Sequence, residues 1–169
     1  QDWTEFVLAE LGIYRYETVE LSAHSLAFRN RADVDTYIRL QQCRERLAAG
    51  EDTGAVLKDV PTCTFDNPWL ESRRAKLLFA LGQQHEREGA LEAALSVYET
   101  CTYAEARARR IRMLERLERH REAFELALQA EANPESESER QQLARMLPRL
   151  RRKLGLPKLT SVPVRAVAR

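Results

Sequence analysis

Apolar side chains recur along this chain at three- and four-residue intervals, the spacing that draws a stripe down one face of an α-helix. Trp3, Phe6, Val7 and Leu11 mark a short first helix, closed by Gly12 at a C-cap position. Ile13 to Val19 is β-branched and aromatic, and a lone strand cannot stabilise itself, so it reads as an extended connection or at most a hairpin edge. A further helix starts after Asn30, with Asp33 in its first turn, and carries Val34, Tyr37, Ile38, Leu40 and Leu47 before Ala48-Ala49-Gly50 ends it. Thr53 is placed to cap one or two turns through Leu57, and Val60-Pro61 then breaks the chain.

Asn67-Pro68 is a second start signal, an N-cap residue with proline at the first helical position. The helix it opens runs through Leu70, Leu77, Leu78 and Leu81 to about Glu88. Gly89 turns the chain into another helix marked by Leu91, Ala94, Leu95 and Tyr98, which makes a helical hairpin. Thr102 and Glu105 have the spacing of a capping box for a helix through Ile111, Leu114 and Leu117. The next helix carries Ala123, Phe124, Ala127 and Leu128. A last one runs from Ser136 to Gly155 through Leu143, Met146, Leu147, Leu150 and Leu154, with Pro148 expected to kink or split it. Leu156 to Arg169 has two prolines and no acid, and reads as a linker. The pattern predicts an all-α chain of stacked helical hairpins: an N-terminal helical subregion over 1–60, a hairpin region over 61–155 and a basic linker over 156–169.

Composition narrows the function classes. With 44% apolar and 31% charged residues the chain can bury a core, and six Gly with six Pro are too few for an all-β sandwich. No apolar run approaches the ~20 residues of a membrane span. Cys43, Cys63 and Cys101 lie far apart and suit buried thiols in a reducing compartment; His24, His85 and His120 are equally scattered, so no metal site is expected. No nucleotide-binding, zinc-hydrolase or nucleophile-elbow signature occurs, which leaves no constellation for an enzyme complete in this chain. Trp3, Phe6, Trp69, Phe79, Tyr98 and Phe124 read as core aromatics, and His85 as a packing residue.

Net charge is only +1, yet it is unevenly spread. From Arg149 to Arg169 there are seven cations and no acid, so residues 1–148 carry −6. The cluster Arg149, Arg151, Arg152 and Lys153 ends the last helix. There it opposes the helix dipole favourably, and with no acid nearby in sequence it is also a candidate for DNA phosphates. Arg29 and Arg31, flanking a helix start, are a second candidate phosphate contact. Arg107, Arg109, Arg110, Arg112, Arg116, Arg119 and Arg121 interleave with Glu105, Glu115, Glu118, Glu122 and Glu125, and read as a solvated helix face with i,i+4 pairs.

Residues 78 to 101 resemble the tetratricopeptide pattern, with Leu81-Gly82, Gly89, Ala94 and Tyr98 in order, Leu78 where Trp is usual and His85 where Tyr is usual. Gly82 and Ala94 would be small because two helices cross there, and Tyr98 would fill the space against the next helix. A second copy around Ala123 is degenerate. Two units fall short of the roughly three that a free-standing array needs, so the hairpins are expected to lean on the last helix and the N-terminal group.

The order of segments resembles that of the Fanconi-associated nuclease family, most of all its bacterial members. Asp2 to Glu17 (D-W-T-E-F-V-L-A-E-L-G-I-Y-R-Y-E) is similar to the segment that follows that family's N-terminal DNA-binding region. The degenerate repeat at 78 to 132 and the basic R-R-K-L-G-L-P at 151 to 157 follow in the same order, so the likeness covers nearly all 169 residues. The resemblance implies a helical scaffold between a DNA-binding part and a VRR-type nuclease domain that cleaves branched DNA, with 5′ flaps preferred, in interstrand crosslink repair. It implies Mg²⁺ or Mn²⁺ held by carboxylates and an E-x-K lysine in that nuclease domain. Here Lys58, Lys76, Lys153 and Lys158 follow Val56, Arg74, Arg151 and Leu156 two residues earlier, so E-x-K is absent and no cofactor or catalytic residue is expected in this chain. The partners implied are branched DNA and neighbouring domains of one polypeptide, in the bacterial cytoplasm at the nucleoid. The alternative is a stand-alone tetratricopeptide-like adaptor that binds a partner peptide.

Overall fold

In a computed structural model, residues 28–62 and 66–157 are described. The expected first helix, the extended stretch to Val19, Cys63 and the linker beyond Pro157 lie outside them. The described residues are all-α: α1 (Arg31–Ala48), α2 (Thr53–Asp59), α3 (Pro68–Arg87), α4 (Leu91–Thr100), α5 (Ala106–Arg116), α6 (His120–Ala132) and α7 (Glu137–Lys153).

Short polar signals set most of the boundaries. The Asn30 side chain accepts from the Asp33 N–H at 2.9 Å and starts α1, and Asn67 accepts from the Trp69 and Leu70 N–H groups to start α3. Two caps differ from the sequence expectation. α2 is capped by Asp52, whose carboxylate accepts from the Ala55 N–H at 2.8 Å, while Thr53 lies inside the first turn and donates its hydroxyl to Glu88 at 2.7 Å. The capping box at Thr102 and Glu105 does not form. Thr102 donates to Glu71 instead, Glu105 makes no side-chain cap, and α5 begins only at Ala106. Tyr103 explains the delay: its ring meets Phe79 at 4.7 Å between centroids, and the chain uses the residues before α5 to bring it there.

Consecutive helices pack as a stack, α3 on α4, α4 on α5, α5 on α6 and α6 on α7, and α7 also reaches back to α5. Leu40, Cys43, Val56, Val60, Leu70, Leu77, Leu78, Leu81 and Val97 form one core between α1, α2, α3 and α4. A second core runs from Phe79 through α4, α5 and α6 to Leu143, Met146, Leu147 and Leu150 of α7. α3 contributes to both. On α1 the buried face is Leu40 and Cys43, which meet α2 and α3, and among the described residues Val34 and Ile38 are exposed. On α6 the inner stripe is Ala123, Ala127 and Ala130, all fully buried, and the bulkier Leu128 faces outward. Pro148 does not split α7, since Leu147 and Leu150 beside it are buried against the core and hold the helix in line.

Leu78 and Ala94 are buried in this stack, and Ala123 lies fully inside α6's contact face. At Gly82 an added Cβ would lie 2.5 Å from a ring carbon of Tyr98. The helices α3 and α4 approach that closely only because Gly82 has no side chain. Gly89 reverses the chain between them with φ at +79°, a conformation that L side chains rarely adopt. Tyr98 is buried and donates its hydroxyl to Glu86 at 2.6 Å.

Candidate nucleic-acid interface

The cations at the end of α7 are not a bare cluster. Glu115 of α5 faces them across the helix pair and accepts both forks of Arg149, at 2.7 and 2.6 Å, and the Lys153 ammonium at 3.0 Å. Burial pushes the Glu115 carboxyl up, but the hydrogen bonds from Arg149 and Lys153 outweigh this and hold it below the ordinary carboxylate range. Arg151 donates to the Pro157 carbonyl and lies 5.9 Å from the centre of the Phe124 ring. Arg152 is exposed, with no carboxylate in ion-pair reach among the described residues. The sequence hides this pairing because Glu115 is 34 residues from Arg149.

The arginines of α5 follow the same pattern and depart from the expected i,i+4 ladder. Arg107 makes a bidentate pair with Glu139 of α7, Arg109 reaches Glu86 of α3, and Arg110 reaches Glu99 of α4. Their partners lie on neighbouring helices because α5 is covered on both sides. Arg119, just before α6, pairs locally with Glu122 and also reaches Glu92 of α4. Glu139 is 2% exposed and also accepts from the Glu135 N–H. Burial raises its carboxyl, yet the Arg107 fork and that N–H more than offset the effect and leave it depressed.

A different surface opens between α1 and α3. The two helices run in the same sense, with Asn67 donating to Asp33 at 3.0 Å where both begin. Trp69 is 38% exposed rather than in the core. It stacks on Tyr37 at 5.7 Å, and Phe28 meets both rings edge-on. The Arg73 guanidinium sits 4.2 Å over the Trp69 ring and 5.5 Å from the centre of Tyr37. Beyond this cluster a groove of about 300 Å³ has Leu40, Leu47 and Leu77 at its base and Arg44, Arg73 and Lys76 around it. No Asp or Glu lines it, and none of the three cations has a carboxylate in ion-pair reach among the described residues. Arg29 and Arg31 are both exposed and adjoin the aromatic end of this surface through Phe28. The structure therefore leaves the two candidate phosphate sets on different parts of the stack.

The groove cations were not among the sequence candidates, although a signal for them exists. Tyr37, Gln41 and Arg44 repeat on α1 the spacing of Trp69, Arg73 and Lys76 on α3, each an aromatic followed by polar residues four and seven positions on. Burial raises the thiols of Cys43 and Cys101, as befits packing residues. Among the described residues no three His, Cys, Asp or Glu side chains converge as metal ligands would, and no helix is long and apolar enough to cross a membrane.

No family model matches the sequence. Over 158 residues, 94% of its length, the chain is 53% identical to the Fanconi-associated nuclease 1 homolog of Pseudomonas aeruginosa. It covers 28% of that relative. Among solved structures, paFAN1 bound to a 2-nucleotide 5′-flap DNA with a gap superimposes with a TM-score of 0.77 at 50% identity, over 100% of this chain and 31% of that one. A second complex of paFAN1, with a 1-nucleotide flap, gives a TM-score of 0.76 at 52% identity over 95% of this chain and 30% of that one. In sequence and in fold the chain thus matches a helical segment of Fanconi-associated nucleases, one that makes up under a third of these relatives' length.

Proposed function

We propose that this chain is the helical scaffold segment of a structure-specific DNA repair nuclease acting on 5′-flap DNA, and that it sets the distance between a DNA-binding part and a nuclease domain. The observation that carries this reading is the match of the whole chain, in sequence and in fold, to a protein solved on flap DNA. Stacked helices suit the task, because each helix fixes the next and an error of about 1 Å at a scissile bond is costly to catalysis. On this reading residues 1–60 adjoin the DNA-binding part, 61–155 form the tetratricopeptide-like body and 156–169 lead toward the nuclease domain. Mg²⁺ or Mn²⁺ and the cutting of phosphodiesters belong to that domain, and the protein works in the bacterial cytoplasm at the nucleoid. Arg151 and Arg152, with Arg29 and Arg31, supply phosphate contacts, and Arg149 and Lys153 join them only where Glu115 releases them. The same match favours this reading over a stand-alone peptide-binding adaptor.

A segment exchange tests it. The corresponding segment of the Pseudomonas nuclease is replaced by this chain, and cleavage of 5′-flap DNA is measured with Mn²⁺ present. Retained cutting at an unchanged distance from the junction is the expected outcome. A folded chimera that binds flap DNA but does not cut it, or cuts at scattered positions, would overturn the scaffold role.

A further inference from the structure

We propose that the groove between α1 and α3 binds the phosphate backbone of a nucleic-acid strand, with Arg73 as its fixed anchor and Arg44 and Lys76 as flanking contacts. The proposal rests on the reading that the protein acts on DNA, and adds to it a site that lies away from the α7 cluster.

Three observations carry it. First, the groove is charged with one sign only: Arg44, Arg73 and Lys76 meet no carboxylate among the described residues. Elsewhere in the stack Arg46, Arg107, Arg109, Arg110, Arg119 and Arg149 are paired with acids. Second, Arg73 is held in place without spending its charge. Trp69 and Tyr37 hold its guanidinium by their ring faces, and its buried Nε has no acceptor among the described residues. A guanidinium fixed by rings keeps its planar fork free for a phosphate oxygen, whereas one fixed by a carboxylate does not. Third, the cations are spread along two helices of the same sense, Arg44 a turn beyond Gln41 and Lys76 about a turn beyond Arg73. A strand that presents phosphates at regular intervals meets such a row at several points, whereas a single small anion would meet one. The charge favours a polyanion over an apolar helix, despite the leucines at the groove's base.

The test uses the intact protein on 5′-flap DNA across about 50 to 200 mM salt, where phosphate contacts appear as the slope of log affinity against log salt. Two variants are compared with wild type: Arg44→Gln/Lys76→Gln, which leaves the aromatic cluster alone, and the triple variant that adds Arg73→Gln. In parallel, acetylation of Lys76 is followed by mass spectrometry on the wild-type protein, with and without DNA. The slope is expected to fall by between about one and two in the double variant and by about two to three in the triple, at roughly 0.7 to 0.9 per lost contact. Lys76 is expected to be protected when DNA is bound. If the triple variant unfolds, the double variant and the wild-type protection still decide. Wild-type binding with Lys76 fully modified and an unchanged slope overturns the groove and leaves the scaffold reading intact. Stronger protection by polyglutamate than by DNA at equal charge concentration assigns the groove to an acidic polypeptide and overturns the proposal. A wild-type protein that does not bind flap DNA at all overturns both.

Discussion

The two basic regions of this molecule carry similar charges in opposite surroundings. Between α5 and α7, Arg107, Arg149 and Lys153 each face a carboxylate that the fold delivers from another helix, Glu139 in the first case and Glu115 in the other two. Between α1 and α3, Arg44, Arg73 and Lys76 face none among the described residues. A cation with a buried partner holds two helices together, and its loss strands the partner in a medium that tolerates charge poorly. A cation without one contributes little to stability and keeps its field for a ligand. Availability is therefore decided by what stands opposite a residue, not by how many like charges stand beside it in sequence.

The largest effect should come from the most buried pair. Arg107→Ala leaves Glu139, which is 2% exposed, without its fork, and is expected to cost about 3 to 5 kcal/mol of stability, read by urea unfolding at neutral pH. Arg107→Lys should restore only part of this, because an ammonium cannot make the two parallel bonds. The sign with pH follows from the depressed Glu139 carboxyl. Its contribution is complete above the unfolded carboxylate value, near 4.5, and is lost as pH falls through the lower folded value. The gap between wild type and Arg107→Ala should accordingly close in acid. A gap that stayed constant down to pH 2 would mean the loss is one of packing and not of charge.

Next in size is the close approach that both regions depend on. α3 supplies one wall of each core, and its seating on α4 rests on the absent side chain of Gly82. Gly82→Ala pushes a methyl group into the Tyr98 ring and is expected to destabilise by about 1 to 3 kcal/mol despite the better helix propensity of alanine. If the variant melts at or above the wild-type temperature, the contact yields more easily than the 2.5 Å approach implies.

Glu115→Gln sharpens the comparison directly, by giving the α7 cluster the unpaired condition of the groove. Its partners Arg149 and Lys153 are 44% and 41% exposed, so solvent already screens them and a loss of about 1 kcal/mol is expected. The informative readout is DNA binding. With the acid neutralised, Arg149 and Lys153 become free for phosphate, and the salt slope on flap DNA should steepen by up to about two. An unchanged slope would place the α7 cluster off the DNA path and leave its role to the helix pair.

How much of this was readable beforehand depends on the range of the interaction. Helix starts at Asn30, Asn67 and Ser136 were legible, since a cap is satisfied within three residues of itself. The Thr102–Glu105 box had the same local credentials and failed, because burying Tyr103 against Phe79 prevailed over a surface cap. The need for a small residue at Gly82 was legible through the repeat spacing, although the Tyr98 ring that fills the space beside it was not. Pairing was not: Glu115 and Arg149, or Arg107 and Glu139, meet only once α5 and α7 are stacked, at separations where no helical period helps. For the same reason four cations in a row at α7 looked available, while Arg44, Arg73 and Lys76, scattered over two helices, did not look like a group.

The smallest expected effect is also the one that separates the regions most cleanly. Arg44→Gln/Lys76→Gln removes two charges that have no carboxylate partner among the described residues, so the folded state loses no ion pair and strands no buried group. Its stability should stay within about 0.5 kcal/mol of wild type, and the loss of like-charge repulsion around the groove can move it slightly upward. Arg73→Gln differs, since the rings of Trp69 and Tyr37 would lose a cation worth about 0.5 to 2 kcal/mol at this half-buried site. Urea unfolding of the double and single variants side by side measures both quantities. A double variant destabilised by 2 kcal/mol or more would mean that Arg44 and Lys76 brace α1 against α3, and the contrast between a paired, structural end and an unpaired, receptive one would fail at its second half.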